Sequence, residues 1–173
     1  MLSLSPATFV QVCTEIGEWV YRSGFKRMLI LNGHGPNLAD LQAVIFNLQE
    51  RHPDYQIGAF SWWSSTARVR EVATPGGGPN VGHAGDAETS VYLALDPERV
   101  DMSKAVNGEP PEAQVFYYPF AQRNPAGCSG NALIATADKG RALMDLVVEE
   151  ISGLVKRGMV EEPLVPIGQG VVP

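Results

Sequence analysis

The sequence predicts an α/β fold in which parallel strands are covered by helices. Three observations carry that expectation. Helical apolar spacing alternates with short continuous apolar runs. The first such run leads straight into a Gly-rich loop. The order helix, strand, loop, helix, strand is that of parallel strands joined by right-handed crossovers. The length, 173 residues, suits one domain with a sizeable core. The expected organisation is a single domain over residues 1–158, followed by a Pro/Gly-rich tail over 159–173.

Ser5 and Pro6 mark a helix start, a hydroxyl at the cap and proline at the first helical position. Phe9, Val12, Cys13, Ile16, Trp19 and Val20 then recur at helical spacing, and Gly24 is the expected stop. Met28-Leu29-Ile30-Leu31 is expected to be a buried parallel strand. The loop NGHGPN, Asn32 to Asn37, follows it. Leu38, Leu41, Val44, Ile45 and Leu48 predict a second amphipathic helix, His52-Pro53-Asp54 a turn, and residues 55–61 a second strand. Residues 62–82, with Trp62, Trp63 and the run Pro75-Gly76-Gly77-Gly78-Pro79, are expected to form a site wall or lid. A third helix is expected from near Gly85 to Leu95, a strand at Val115–Tyr118 within an irregular stretch, and a last helix over about 137–157 that Gly158 ends.

Composition narrows the function. The net charge is −6 and the 13 basic residues are mostly scattered, so no track exists for a phosphate backbone and nucleic-acid binding is disfavoured. No apolar run approaches the ~18 residues of a membrane span. The first basic residue is Arg22 and Pro6 interrupts the start, so the N-terminus does not read as a signal peptide and a cytoplasmic location is expected. Cys13 and Cys128 allow no Cys-based zinc site and are expected to be buried or idle thiols. A serine nucleophile is disfavoured because no G-x-S-x-G occurs and Ser129 lacks the strand–turn–helix context. Gly76-Gly77-Gly78 has no Lys-Ser/Thr after it, which disfavours phosphate binding.

The chain has three histidines. His52 sits in a polar turn and is expected at the surface. His34 lies between Gly33 and Gly35 at the carboxyl end of a predicted strand, where ligands bind in such sheets; glycines there would permit unusual backbone angles and close approach. Gly82-His83-Ala84-Gly85-Asp86-Ala87-Glu88-Thr89-Ser90 gathers imidazole and carboxylates at a helix start. Asp86 and Glu88 would complement the helix dipole in any protein, but His with carboxylate is also the ligand set of zinc, manganese or iron.

NGHGPN after a strand, followed by GHAGDAETS at a helix start, resembles the creatininase (creatinine amidohydrolase) family. The lead-in LSLSPATFVQVCTEIGEWVYRSGFKRMLILNGHG and the segment SGNALIATADKGR fit it too, so the similarity runs over nearly the whole chain. The resemblance implies a three-layer α/β/α sandwich with a mostly parallel central sheet. It implies a metal-dependent hydrolase of non-peptide or cyclic amides with two divalent ions, zinc or manganese, per complete site, assembled as a homo-oligomer, the family hexamer. By motif, His34 and Glu88 would be metal ligands and His83 the catalytic histidine that handles the proton on the scissile nitrogen. Trp62, Trp63 and Asn37 would line the substrate. Paired cations lower the pKa of a bridging water and polarise the carbonyl, and an imidazole titrates in the right range to protonate the leaving nitrogen.

The family also draws ligands from an N-terminal strand and loop, and no Glu-x-His segment lies upstream of His34. The expectation is therefore an N-terminally truncated form. Its Met28–Leu31 strand would have an open edge, and it would be a fragment or mis-started reading frame of a working enzyme, or half of a two-chain enzyme whose second chain supplies the missing ligands. The alternative is a catalytically impaired remnant that serves as an oligomerising or ligand-binding module. Pro36 stands where the creatinine-hydrolysing enzyme has an acidic residue, which disfavours creatinine as substrate.

Overall fold

The structure is a computed structural model that describes residues 3–74, 81–108, 115–116 and 118–164. Its elements in order are α1 (Pro6–Arg22), β1 (Arg27–Asn32), α2 (Asn37–Arg51), β2 (Gln56–Ser61), α3 (Ala67–Ala73), α4 (Asp86–Leu95), β3 (Asn107–Gly108), α5 (Phe120–Arg123), β4 (Gly130–Asn131) and α6 (Ala137–Val160). The fold is α/β, as the sequence predicts. The chain divides into two compact units, residues 1–62 with 152–173, and residues 63–151.

In the first unit Ser5 caps α1, its hydroxyl accepting from the Thr8 amide, with Pro6 in the first turn. The helix ends at Ser23 and Gly24 takes the left-handed turn, φ +94°. β1 and β2 pair in parallel, Arg27 against Gln56 through Asn32 against Ser61. α2 crosses between them. Val44, Leu48 and Tyr55 form a buried cluster, against which Val10, Cys13, Val20, Tyr21, Met28 and Ile57 pack. Gly17 lets α1 approach α2: a Cβ there would overlap a Leu48 methyl.

Met28–Leu31 is a parallel strand, but it is not buried on both faces. Met28 and Ile57 turn toward the helices, while Leu29 and Leu31 remain 46 % and 53 % exposed. Among the described residues β1 has one partner strand, β2, so its other edge is open. His52 also departs from a surface reading. It is half-buried, its ring stacks on Tyr21 at 3.9 Å, and its Nε2 lies 2.8 Å from Glu18 Oε2. Burial pushes the Cys13 thiol and the Tyr55 phenol up from their ordinary pKa values.

In the second unit Trp63, Val69, Ala73, Ala132 and Leu143 are buried. Thr66 caps α3. α6 starts against α4 backbone to backbone: Gly140 faces the Ser90 carbonyl, and no Cβ fits there. The Ser90 hydroxyl accepts from the Thr136 amide (3.1 Å) and donates to Asp86 (3.1 Å), and Lys139 pairs with Asp86 at 3.0 Å. Val115 and Phe116 form a bend rather than the predicted strand, and Tyr117 lies outside the described residues. α6 passes through Gly158 to Val160 instead of stopping there; one glycine costs a helix only about 1 kcal/mol. The Pro75–Pro79 run lies outside the described residues.

Candidate functional site

Two groups of candidate residues are each built by local hydrogen bonding, one in each unit. The first is the loop after β1. Asn32 is 3 % exposed, and a buried amide must find partners. Its Nδ2 donates to the His34 carbonyl (2.7 Å) and to Ser61 Oγ (2.9 Å). Its Oδ1 accepts from the His34 amide (3.1 Å) and from Asn37 Nδ2 (3.3 Å). Asn32 therefore shapes the turn that holds the exposed His34 at the carboxyl end of β1, and ties Asn37 inward. Neither Gly33 nor Gly35 has a positive φ, and a Cβ on Gly33 would meet open space. The special backbone angles expected of these glycines are absent, because the Asn32 side chain does the turning.

The second group is Gly82–Glu88, leading into α4. Here the backbone is unusual. Gly82 has φ +82° and Ala84 has φ +49°, the left-handed region that residues with a Cβ seldom enter. The Ala84 amide donates to Glu88 Oε2 at 2.6 Å, and Thr89 Oγ1 donates to the Ala84 carbonyl at 3.1 Å. Glu88, in the first turn of α4, thus acts like the acid of a capping box while its carboxylate also favours the positive end of the helix. His83 exchanges two backbone hydrogen bonds with Ser129. Its ring meets the Phe120 ring at 4.7 Å and 78°. Asp86 is held by Lys139 and Ser90 and so serves the helix packing.

The structure therefore brings His83 beside Glu88 at the start of α4, and His34 beside Asn37 at the start of α2. Trp62 opens the 3₁₀ turn after β2 and is half-buried; Trp63 is 3 % exposed and lies in the core of the second unit. Among the described residues, no three His, Cys, Asp or Glu side chains gather where they could hold a metal ion. His34 and Glu88 alone do not meet the three protein ligands that a catalytic zinc takes. Sequence reasoning missed Asn32, Phe120 and the Cys128–Gly130 segment. The signal for Asn32 was a polar residue closing an apolar strand. For Cys128–Gly130 it was the sequence CSGN, whose glycine sits at φ +126°. Among the described residues no helix is long and apolar enough to cross a membrane.

Comparison with known proteins bears on this arrangement. The family model Creatininase, described as creatinine amidohydrolase, matches residues 1–155. Creatinine amidohydrolase of Pseudomonas putida is 26 % identical over 166 residues, 89 % of this chain and 64 % of its own length. 3-Dehydro-scyllo-inosose hydrolase of Thermotoga maritima is 24 % identical over 182 residues, 86 % of this chain and 55 % of its own. The chain thus spans less than two thirds of the length of either relative. Among solved structures, a creatininase in its Mn form superposes with a TM-score of 0.78 at 25 % identity, covering 92 % of this chain and 67 % of that one. A mutant creatininase of the Zn-Zn type gives 0.77 at 25 % identity, covering 93 % and 67 %.

Proposed function

This chain belongs to the creatininase family, and we propose that it takes part in hydrolysis of a non-peptide or cyclic amide C–N bond. The observation that supports this best is the segment Gly82–Glu88, which holds an imidazole and a carboxylate around a fixed, strained turn at the start of α4. In the proposed reaction water adds to the amide carbonyl carbon, the C–N bond breaks, and His83 delivers the proton that the leaving nitrogen needs. Phe120 walls one side of the imidazole. Trp62 is the better placed of the two tryptophans to face a substrate, since Trp63 is taken up in packing. Pro36 points away from creatinine itself as the substrate.

The donor set of the described residues does not fit a divalent metal by itself. In this reading His34 and Glu88 are two of the ligands for zinc or manganese, two ions per complete site. The remaining ligands come from outside residues 1–173: a preceding segment of a longer protein, a copy in a homo-oligomer or a second chain. The relatives' metals support the reading at family level. A second reading is a catalytically impaired, oligomerising module. The edge of β1 that has no partner strand among the described residues suits it. The two separate by offering a panel of cyclic and open-chain amides to the chain with zinc or manganese and following amine release. Hydrolysis of any member supports the enzyme and refutes the module; none, at any metal concentration, refutes completion of the site by copies of this chain.

A further inference from the structure

We propose that Cys128, Ser129 and Gly130 are positioning residues for His83, a clamp that sets its backbone and through it the imidazole. The inference rests on the proton-delivery role given to His83 above. The His83 amide donates to the Ser129 carbonyl at 2.9 Å, and the Ser129 amide donates to the His83 carbonyl at 2.7 Å. This closed pair is reached only because residue 82 has no side chain: a Cβ on Gly82 would collide with the Ser129 carbonyl oxygen. On the other flank, a Cβ on Gly85 would stand 3.3 Å from both the Gly130 Cα and the Ser129 carbonyl oxygen, so the two segments pack closely main chain to main chain.

Ala84, next to His83, is held in a left-handed conformation that its own Cβ disfavours. Such a conformation persists only when its surroundings over-determine it. Three groups do so. Glu88 takes the Ala84 amide, and Thr89 Oγ1 and the Cys128 thiol both point at the Ala84 carbonyl, the latter at 3.2 Å. Cys128 is 5 % exposed, so the thiol is screened from competing water. Its one S–H also has the Gly130 carbonyl within reach at 3.1 Å; donated to Ala84, it ties Cys128, and with it the clamp, to the strained residue. Phe120 then fixes the ring that the clamp presents. Together these contacts leave His83 little freedom in main chain or ring, as a pre-organised proton donor requires.

The test uses the full chain as parent, Cys128→Ala, Cys128→Ser and Gly82→Ala. With three histidines in the chain, the ring protons of each can be assigned by NMR, and those of His83 carry the ring-current shift of Phe120. In Cys128→Ala the His83 and Ser129 amides are expected to exchange about tenfold faster. The His83 ring shift should move toward that of the exposed His34. Cys128→Ser should restore both, since a hydroxyl donates to the same carbonyl. On an amide substrate, kcat should fall at unchanged KM in Cys128→Ala and return in Cys128→Ser. Parental exchange and ring shift in both Cys128→Ala and a folded Gly82→Ala would overturn the proposal. So would a displaced ring with unchanged kcat where His83→Ala abolishes turnover. If His83→Ala itself leaves kcat unchanged, the role given to His83 fails and the clamp's purpose falls with it.

Discussion

Replacing Gly140 by alanine tests how α4 is held in place. On helix propensity alone the change stabilises by about 1 kcal/mol, because Gly140 lies inside α6. The structure opposes it. The new Cβ would overlap the Ser90 carbonyl and stand 2.9 Å from the Val91 nitrogen, and these are backbone atoms that no rotamer change can move. Relief needs α6 to retreat from α4 by more than about 1 Å, toward ordinary contact distance. Overpacking of this kind costs about 1–3 kcal/mol. The retreat also breaks the bond from the Thr136 amide to Ser90 Oγ, about another 1 kcal/mol. The net expectation is a loss of about 2 kcal/mol, or roughly 4–8 °C in melting temperature for a chain of this size. Gly17→Ala is the internal control. It gains the same propensity, but the nearest obstacle is a Leu48 methyl with the Met28 methyl at 3.2 Å, both rotatable, so its net effect should stay within about 1 kcal/mol. Urea unfolding followed by circular dichroism measures both. A Gly140→Ala variant as stable as the parent, or more stable than Gly17→Ala, would refute the close-approach argument.

Other expectations follow from the loops and the charged surface. Asn32→Ala should cost about 2–3 kcal/mol, because it strands Ser61 and the His34 backbone without their partners; a loss under about 0.5 kcal/mol in denaturant titration would show that the hub is not needed. Glu18 is held below the usual carboxylate range by hydrogen bonds from His52 and then Arg51, and Asp54 by Lys26 and then Tyr21. Between the lowered and ordinary pKa values the unfolded chain binds more protons, so the stability these groups add above about pH 4 is lost as pH falls through the lowered values. Glu18→Gln with Asp54→Asn should flatten the acid limb of stability against pH, and an unchanged limb would contradict the assignment. At the alkaline end, Asp54 raises Lys26, so that pair is lost only as pH rises through the raised lysine value. His34→Ala and Glu88→Ala should each lower zinc or manganese uptake, read by elemental mass spectrometry; full uptake in both would remove them as ligands.

Much of the first unit was legible because its elements follow strong local rules. Ser5-Pro6 starts a helix, and Gly24 turns after one. The continuous apolar run Met28–Leu31 was legible as a strand but not its exposure. Four consecutive apolar residues look alike whether one face or two are covered, and what covers a face is set by elements distant in sequence. His52 looked like a surface turn because its partners, Glu18 and Tyr21, lie more than thirty residues upstream. The candidate site divided in the same way. His34, His83 and Glu88 stood out by residue type beside glycines. Asn32 and Cys128 act through hydrogen bonds to main-chain atoms, which no residue pattern encodes. Gly158 was misjudged as a stop because a glycine ends a helix only when the chain needs a left-handed turn there; among the described glycines Gly24, Gly82, Gly127 and Gly130 have a positive φ, and Gly158 does not.

The central claim is that His83 serves hydrolysis of an amide C–N bond. Its most direct test is the turnover of a non-peptide amide by the chain and by His83→Ala, with zinc or manganese supplied. Where copies of the chain complete the site, the parent should hydrolyse the amide measurably and kcat should fall about 100-fold or more in the variant, the usual worth of a positioned acid. Hydrolysis that His83→Ala leaves unchanged would contradict it.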